Sequence, residues 1–300
     1  MSHAFHEGER AVQERAGVAS IASRVGGSIH SEVPPPARSF LFEQPFAVLA
    51  SRTPDGRVWA SLVHGAPGFL SSPSDWTIAV DAALPADDPL AASLVPGAPL
   101  GALVIDLATR RRMRVNGRVE RAGLPIRLVV DEVFANCPKY IQGRTLVADD
   151  DTVAPRSAVT SSTGALTGAQ QEWIARTDTF FIASGHAGRG LDASHRGGAP
   201  GFVTVLDARR IAWPDYKGNA MFQTLGNLES DPHAGVVVAD FASGDVLQLT
   251  GLAHVDWDPA RAARFPGAER VVELEIDAVR ETPGALPLRA VAVEPSPFNP

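Results

Sequence analysis

Apolar residues recur along this chain with two different periods. Over residues 7–25, Val12, Ala16, Ala19 and Ile21 return at roughly helical spacing among Glu and Arg residues, which predicts one amphipathic leading helix. Pro34-Pro35-Pro36 blocks a helix, and Ala37 to Gln44 predicts a short one that feeds the first strand. Strands are then predicted at Phe46 to Arg52, Arg57 to Leu62, Trp76 to Val80, Leu100 to Asp106, Met113 to Arg121 and Ile126 to Val133. Pro54-Asp55-Gly56 turns the first hairpin. Leu100 to Asp106 is almost wholly apolar, as expected of a strand buried on both faces. Asp88 to Leu94 predicts a short helix between strands. Short strands with few helices and tight turns predict a small barrel.

The second half repeats this plan. Gly-Ala-Pro-Gly-Phe occurs at Gly65 to Phe69 and again at Gly198 to Phe202, and the flanking text stays in phase. Val48-Leu49-Ala50-Ser51 falls opposite Phe181-Ile182-Ala183-Ser184, and Ala60-Ser61 opposite Ala193-Ser194. The period is far longer than that of a solenoid unit, so each copy is expected to be a domain-sized module, and the chain an internal pseudo-dimer. A helix at Gln170 to Thr177 and strands at Thr179 to Ser184, Gly201 to Leu206, Val236 to Asp240, Asp245 to Asp256 and Glu269 to Val279 are predicted for the second copy. The expected division is a first module with its N-terminal helix over 1–148, a linker over 149–168 and a second module over 169–300. The polar stretch Asp149 to Ser162 is the core of that linker, and the Pro-rich tail Pro283 to Pro300 is expected to be irregular. The fold class is mainly β, a β-barrel with peripheral helices, in two tandem copies.

Composition narrows the function. A formal charge of −7 gives no basic face for nucleic acid. The run Arg110-Arg111-Arg112-Met113-Arg114 is read as a hairpin turn with alternate residues solvated, because Met113 and Val115 point inward. No apolar run reaches membrane-spanning length and the N-terminus lacks a signal-peptide core, so no membrane partner and a cytoplasmic location are expected. Cys137 is the only cysteine, which excludes an intramolecular disulfide; without a Cys or His cluster around it, no metal site is expected.

Two segments carry candidate chemistry. Ser194-His195-Arg196-Gly197-Gly198, placed just before the second strand of the second module, sets a guanidinium beside two glycines where backbone amides can converge on an anion; a tight surface loop is the alternative. The loop Trp213 to Leu228 offers Lys217, Asn219, Thr224 and glycines at a helix start, suited to a phosphate monoester; an Asn-capped turn is the alternative there. The first copy has Trp59 to His64 where the second has the His-Arg-Gly-Gly block, and it lacks the Lys-Gly-Asn loop.

With Phe5-His6-Glu7-Gly8-Glu9 and Asn136-Cys137-Pro138-Lys139-Tyr140-Ile141-Gln142, these two segments make the chain resemble the FMN-binding split-barrel proteins related to pyridoxamine 5′-phosphate oxidase. The resemblance implies two tandem split barrels forming a pseudo-dimer, with FMN in the cleft between them. It implies phosphate contacts from Arg196, Lys217, Asn219 and Thr224, approach of Ser194, His195 and Gln248 to the ring or ribityl chain, and Gly197 as a further cofactor-binding residue. Lys139, Tyr140 and Gln142 are expected on the opposite wall, supplied by the first module, and one FMN per chain is expected. The implied activity is that of a flavin-dependent oxidoreductase on a small molecule, with NAD(P)H as one electron source although no dinucleotide fingerprint is present. A non-catalytic flavin- or haem-binding split barrel is the alternative. A deazaflavin in place of FMN, and a homodimer, stay open. No catalytic acid or base is identified from spacing.

Overall fold

The computed structural model describes residues 4–82, 84–85, 87–149, 159–161 and 164–300. In chain order the elements are α1 (Glu7–Arg15), α2 (Ala19–Val25), α3 (Pro35–Glu43), β1 (Phe46–Arg52), β2 (Val58–His64), β3 (Leu70–Ser74), β4 (Thr77–Val80), α4 (Pro89–Ser93), β5 (Pro99–Asp106), β6 (Arg111–Arg121), β7 (Ile126–Ala135) and β8 (Gly143–Ala148). There follow β9 (Val159–Ser161), α5 (Gly168–Arg176), β10 (Thr179–His186), β11 (Gly190–Gly197), β12 (Thr204–Asp207), β13 (Arg210–Asp215), α6 (Gln223–Ser230), β14 (His233–Ala239), β15 (Val246–Asp256), α7 (Pro259–Ala262), β16 (Arg270–Thr282) and β17 (Leu288–Glu294). No helix among the described residues is long and apolar enough to cross a membrane.

Two antiparallel sheets share one strand order. The first runs β2-β1-β5-β6-β7-β4-β3 and the second β11-β10-β14-β15-β16-β13-β12, with β9 pairing on β16. The chain is thus mainly β, two tandem split barrels. Strand parity decides which core each side chain enters, because successive side chains point to opposite faces. On β1, Ala47 and Leu49 pack into the first barrel, while Phe46, Val48 and Ala50 pack into a separate core between the barrels. On β10, Phe180 and Ile182 fill the second barrel, and Phe181 and Ala183 enter the shared core. β5 and β14 divide in the same way, with Leu103, Ile105 and Val237 turned to the shared core. The near-continuous apolar runs in the sequence have this cause.

The terminal elements cross over. Val12 of α1 packs into the second barrel's core, so the leading helix belongs with the second module and not the first. Conversely β17 pairs with β8 from Leu288↔Ala148 to Glu294↔Gly143, so the tail expected to be irregular is an ordered strand on the first module's last segment. Of the expected linker, 150–158 and 162–163 lie outside the described residues, Val159–Ser161 pairs with β16, and Leu166 is in the second core.

Other differences have local causes. The leading helix is two helices, because Gly17 takes a left-handed φ of 69° and the Gly17 and Val18 amides donate back to the Glu14 and Gln13 carbonyls, a Schellman stop. Ser194 to Gly197 lies within β11 and not before it, and Gly201 sits in the turn that follows, so the next strand begins at Thr204. Trp213 to Asp215 is strand, which shortens the predicted loop. β3 was not expected, since Leu-Ser-Ser-Pro-Ser has little strand propensity and forms by pairing with β4.

Two glycines set how closely the barrels approach. A Cβ on Gly101 of β5 would stand 2.6 Å from the Leu191 carbonyl oxygen of β11, and one on Gly235 of β14 would stand 2.6 Å from the Trp59 Cα of β2. Both obstacles are backbone of the other module and cannot yield. Gly235→Ala or Gly101→Ala should therefore cost about 1–3 kcal/mol in urea unfolding, the scale of overpacking. Gly27→Ala, which meets nothing within 4 Å, should lie within about 1 kcal/mol of the parent.

Candidate functional site

β6 of the first module faces β11 of the second across the shared interface, and this opposition builds the site. Met113 turns into the first barrel, so its neighbours Arg112 and Arg114 project the other way, toward β11. Arg114 is buried; its Nη1 donates to Asp192 Oδ2 at 3.0 Å and its Nη2 to Ser194 Oγ at 2.6 Å. Arg196 Nη1 donates to the same Ser194 oxygen at 2.6 Å. One hydroxyl thus draws together two guanidiniums from different modules. Arg112 adds a third, its Nη1 at 3.2 Å from His195 Nδ1 and its Nη2 donating to the Cys137 carbonyl at 2.8 Å.

These groups line a cavity of about 100 Å³ together with Asn136, Lys139, Tyr140, Gly197, Asn219 and Thr224. That is about three times a water molecule's share of ~30 Å³, the scale of a small anion. Burial and the neighbouring Arg114 and Arg196 press the Arg112 guanidinium down to about 9, and burial also lowers Arg196. His195 is held well below its ordinary value, first by burial and then by the surrounding arginines, so its ring is neutral. An arginine can only donate, so His195 Nδ1 accepts from Arg112 and the ring proton sits on Nε2.

That Nε2 is buried with no hydrogen-bond partner, and so are Arg112 Nε, Arg114 Nε, Arg196 Nε, Asn136 Nδ2 and Thr224 Oγ1. Buried polar groups are nearly always paired, so a concentration of unpaired donors around one cavity is a demand for an acceptor. Asn136 Oδ1 is also unpartnered and shares that wall. Among the described residues, the carboxylates that face these arginines are Asp192, engaged by Arg114, and Asp215, which lies 3.4 Å from Arg270 Nε. The donor set suits an anion, and a phosphate group in particular.

The backbone is strained around this cavity. Among the described residues the non-glycine positions with positive φ are Arg110, Tyr140, Ala220 and Phe222, and the last three line it. Such conformations cost about 1–3 kcal/mol each and persist only where surrounding structure enforces them. Gly197 is part of the enforcement: a Cβ there would lie 2.1 Å from the Tyr140 carbonyl oxygen. The Tyr140 ring packs on Tyr216 at 4.8 Å and its hydroxyl donates to the Lys217 carbonyl at 3.1 Å, joining the two modules' loops.

α6, whose first turn carries Thr224, is clamped by α1. A Cβ on Gly8 would lie 2.3 Å from the Gly226 carbonyl, so the helices touch backbone to backbone. His6 caps α1 through Nδ1, which leaves Nε2 to donate to Asn227 Oδ1 at 3.0 Å, and Gln13 Nε2 donates to the Met221 carbonyl at 2.9 Å. The Phe5 to Glu9 block therefore positions α6 and does not touch the cavity. His6, Glu7 and His186 lie close enough to share a metal, but all four ring nitrogens are already hydrogen-bonded within the chain.

The structure brings Lys139, Tyr140, His195, Arg196, Gly197, Asn219 and Thr224 together at the cavity, with Ser194 beneath them. Three expected residues lie elsewhere. Lys217 is exposed and offers its carbonyl, because the preceding Trp213 to Asp215 is drawn into β13. Gln142 binds the tail through Ser296 and Asn299. Gln248 donates to the Ala60 carbonyl and to Ser61 Oγ, at the position in the first module that matches Ser194. Arg112, Arg114 and Asn136 were not anticipated. For the two arginines the signal is the alternation in Arg112-Met113-Arg114, which puts both on the face opposite Met113; that face reads as solvent in the sequence and is the interface.

Residues 166–296 match the family model described as Pyridoxamine 5′-phosphate oxidase. The second module is pyridoxamine 5′-phosphate oxidase-like. Solved structures similar to the chain include a provisionally assigned pyridoxamine 5′-phosphate oxidase from Lactobacillus delbrueckii, at 22% identity over 40% of this chain and 97% of that one with a TM-score of 0.33. An FAD binding protein from Mycobacterium smegmatis matches at 10% identity over 42% and 98%, TM-score 0.29. General Stress Protein 26 from Bacillus anthracis matches at 13% over 36% and 88%, TM-score 0.26. No curated protein matches the sequence. The oxidase-like module supplies His195, Arg196 and the α6 start, while Arg112, Arg114 and Asn136 come from outside the matched residues.

The α1 clamp yields a pH prediction. Burial pushes the Glu9 carboxyl up to about 8, so above its unfolded value near 4.5 the unfolded chain holds fewer protons and stability falls as pH rises toward 8. His6, lowered to about 4 chiefly by burial, acts in the opposite sense, but most of its effect lies below pH 6.5 and it offsets only about 0.4 kcal/mol above it. From pH 6.5 to 8 stability should fall by about 2 kcal/mol through Glu9. Glu9→Gln should remove that slope in denaturant titrations; an equally steep fall in the variant would locate the titrating group elsewhere.

Proposed function

We propose that the chain binds one FMN, with its phosphate in the cationic cavity between the modules, and acts as a flavin-dependent oxidoreductase on a small molecule. The observation that carries this reading is the ring of unpartnered donors from Arg112, Arg114, Asn136, His195, Arg196 and Thr224 around an anion-sized cavity. The match of residues 166–296 to the pyridoxamine 5′-phosphate oxidase family supports it. The name of the FAD binding protein among the similar structures is consistent with a flavin. Bound flavin would supply hydride acceptance and release. The chain's part is to hold the phosphate with Arg112, Arg114 and Arg196, to donate from neutral His195 Nε2, and to keep water from the cleft with the Tyr140 and Tyr216 rings.

One cofactor per chain is favoured by the matching place in the other half. There Leu62 and Val63 stand where His195 and Arg196 do, and Val246 and Gln248 where Arg112 and Arg114 do, by strand register. An internal carboxylate fills the anionic role: Asp88 accepts from Ser61 Oγ at 2.6 Å and from the Leu90 amide at 2.9 Å, and lies 3.7 Å from Arg280 Nη1.

FMN should bind at least ten-fold more tightly than riboflavin, at one equivalent per chain in calorimetric titration. Arg196→Ala and Arg112→Ala should each weaken FMN by about 1.5–3 kcal/mol, the scale of a hydrogen bond to a charged group, and leave riboflavin almost unchanged. Lys217→Glu should have a smaller effect. Equal affinity for FMN and riboflavin would remove the phosphate assignment. Bleaching of bound FMN by NAD(P)H without air, with recovery on adding an acceptor, is expected of an oxidoreductase; tight FMN that no donor reduces would leave a flavin-binding protein.

A further inference from the structure

A second cavity opens beside the first and differs from it in kind. It measures about 520 Å³, within the range of small-molecule sites, and lies wholly in the first module between α3 and the β6–β7 hairpin. Phe40, Met113, Val133 and Phe134, all buried, give it an apolar floor, and Ala37 of α3 forms one side. The cleft is open to solvent, and a ligand body seated on this floor would remove apolar surface from water.

Its rim is charged on one side only. Arg111 is exposed, lies over the Phe40 ring at 5.1 Å, and makes no ion pair among the described residues. Arg112 and Asn136 stand at the junction with the cationic cavity, and Arg112 Nε and both amide atoms of Asn136 are buried without partners. Arg110, the fourth positive-φ residue, also lines this cavity, but its guanidinium is occupied by the carbonyls of Ile141, Glu294 and Pro295. An apolar chamber with one unpaired guanidinium, that of Arg111, and the unpartnered Asn136 amide at its mouth fits a molecule with a hydrophobic body and one acidic head.

We infer that this cavity is a binding site for an apolar organic carboxylate, seated next to the anion cavity and separate from it. The hydrophobic body lies on Phe40, Met113 and Phe134, and the carboxylate meets Arg111 at the rim. The assignment does not depend on flavin, because it needs only the second cavity. If the flavin reading also holds, this ligand is the small molecule placed beside the cofactor.

Fluorescence titration with 2-naphthoate, and with uncharged 2-naphthalenemethanol as its control, tests the site in the full chain with and without FMN. Naphthoate should bind at least ten-fold more tightly than the alcohol, and Arg111→Ala should reduce that preference to less than three-fold. Ala37→Trp, which fills the chamber, should weaken both probes more than twenty-fold and leave FMN affinity within two-fold; Thr109→Trp at the exposed rim serves the same purpose if the first variant does not fold. Naphthoate should bind equally well to the FMN-loaded chain. Equal affinity for the two probes, or no effect of the filling variants, would overturn the site. Competition between naphthoate and FMN would assign the chamber to the flavin and overturn a separate ligand. Naphthoate binding by a chain that takes up no FMN would sustain this site and remove the flavin reading alone.

Discussion

The structure depends on burying both faces of the strands β1, β5, β10 and β14. A barrel alone would leave Phe46, Val48, Leu103, Phe181 and Val237 in water, and each such side chain gains about 1.5–3 kcal/mol on full burial. Two barrels with the same strand order solve the problem for each other. The interface then fixes everything polar at its edge, because β6 and β11 can face one another only at the distance that Gly101 and Gly235 permit.

That edge concentrates like charge. Like charges gathered around one buried cavity repel, so Arg112, Arg114 and Arg196 would separate if they were free to do so. They are not free: Ser194 accepts from two of them, Asp192 holds Arg114, and the Cys137 carbonyl holds Arg112. The site is thus loaded electrostatically by the fold, and an anion entering it relieves repulsion as well as completing hydrogen bonds. Preorganisation of this sort lowers the cost of ordering at the moment of binding. Its counterpart in the other half is relaxed already, since Asp88 takes the anion's place.

Much of the architecture was legible in the residues. The hairpin turn and the doubly apolar strands indicated two β modules, and His195 to Gly197 lie along one wall of the candidate cavity. What escaped depended on partners distant in sequence. Arg112 and Arg114 look solvated until the other barrel covers them, and Gln248 lies at the matching position of the wrong half. Lys217 gave the strongest cue of its loop yet points to solvent, because β13 runs farther than its Pro-Asp ending suggested. The tail reads as irregular by its prolines, and only the exposed edge of β8 makes Leu288 to Glu294 a strand.

The crossing of the terminal elements bears on synthesis. During synthesis β8 is made well before its partner β17, and α1 well before the second barrel whose core it enters. Each barrel's own core can close within its half, but the faces that β1 and β5 turn to the shared core stay uncovered until the second barrel exists. Domains usually fold as units, the N-terminal one first, but here early strands must wait with apolar faces uncovered. Folding of the chain is therefore governed by long-range closure more than by local structure.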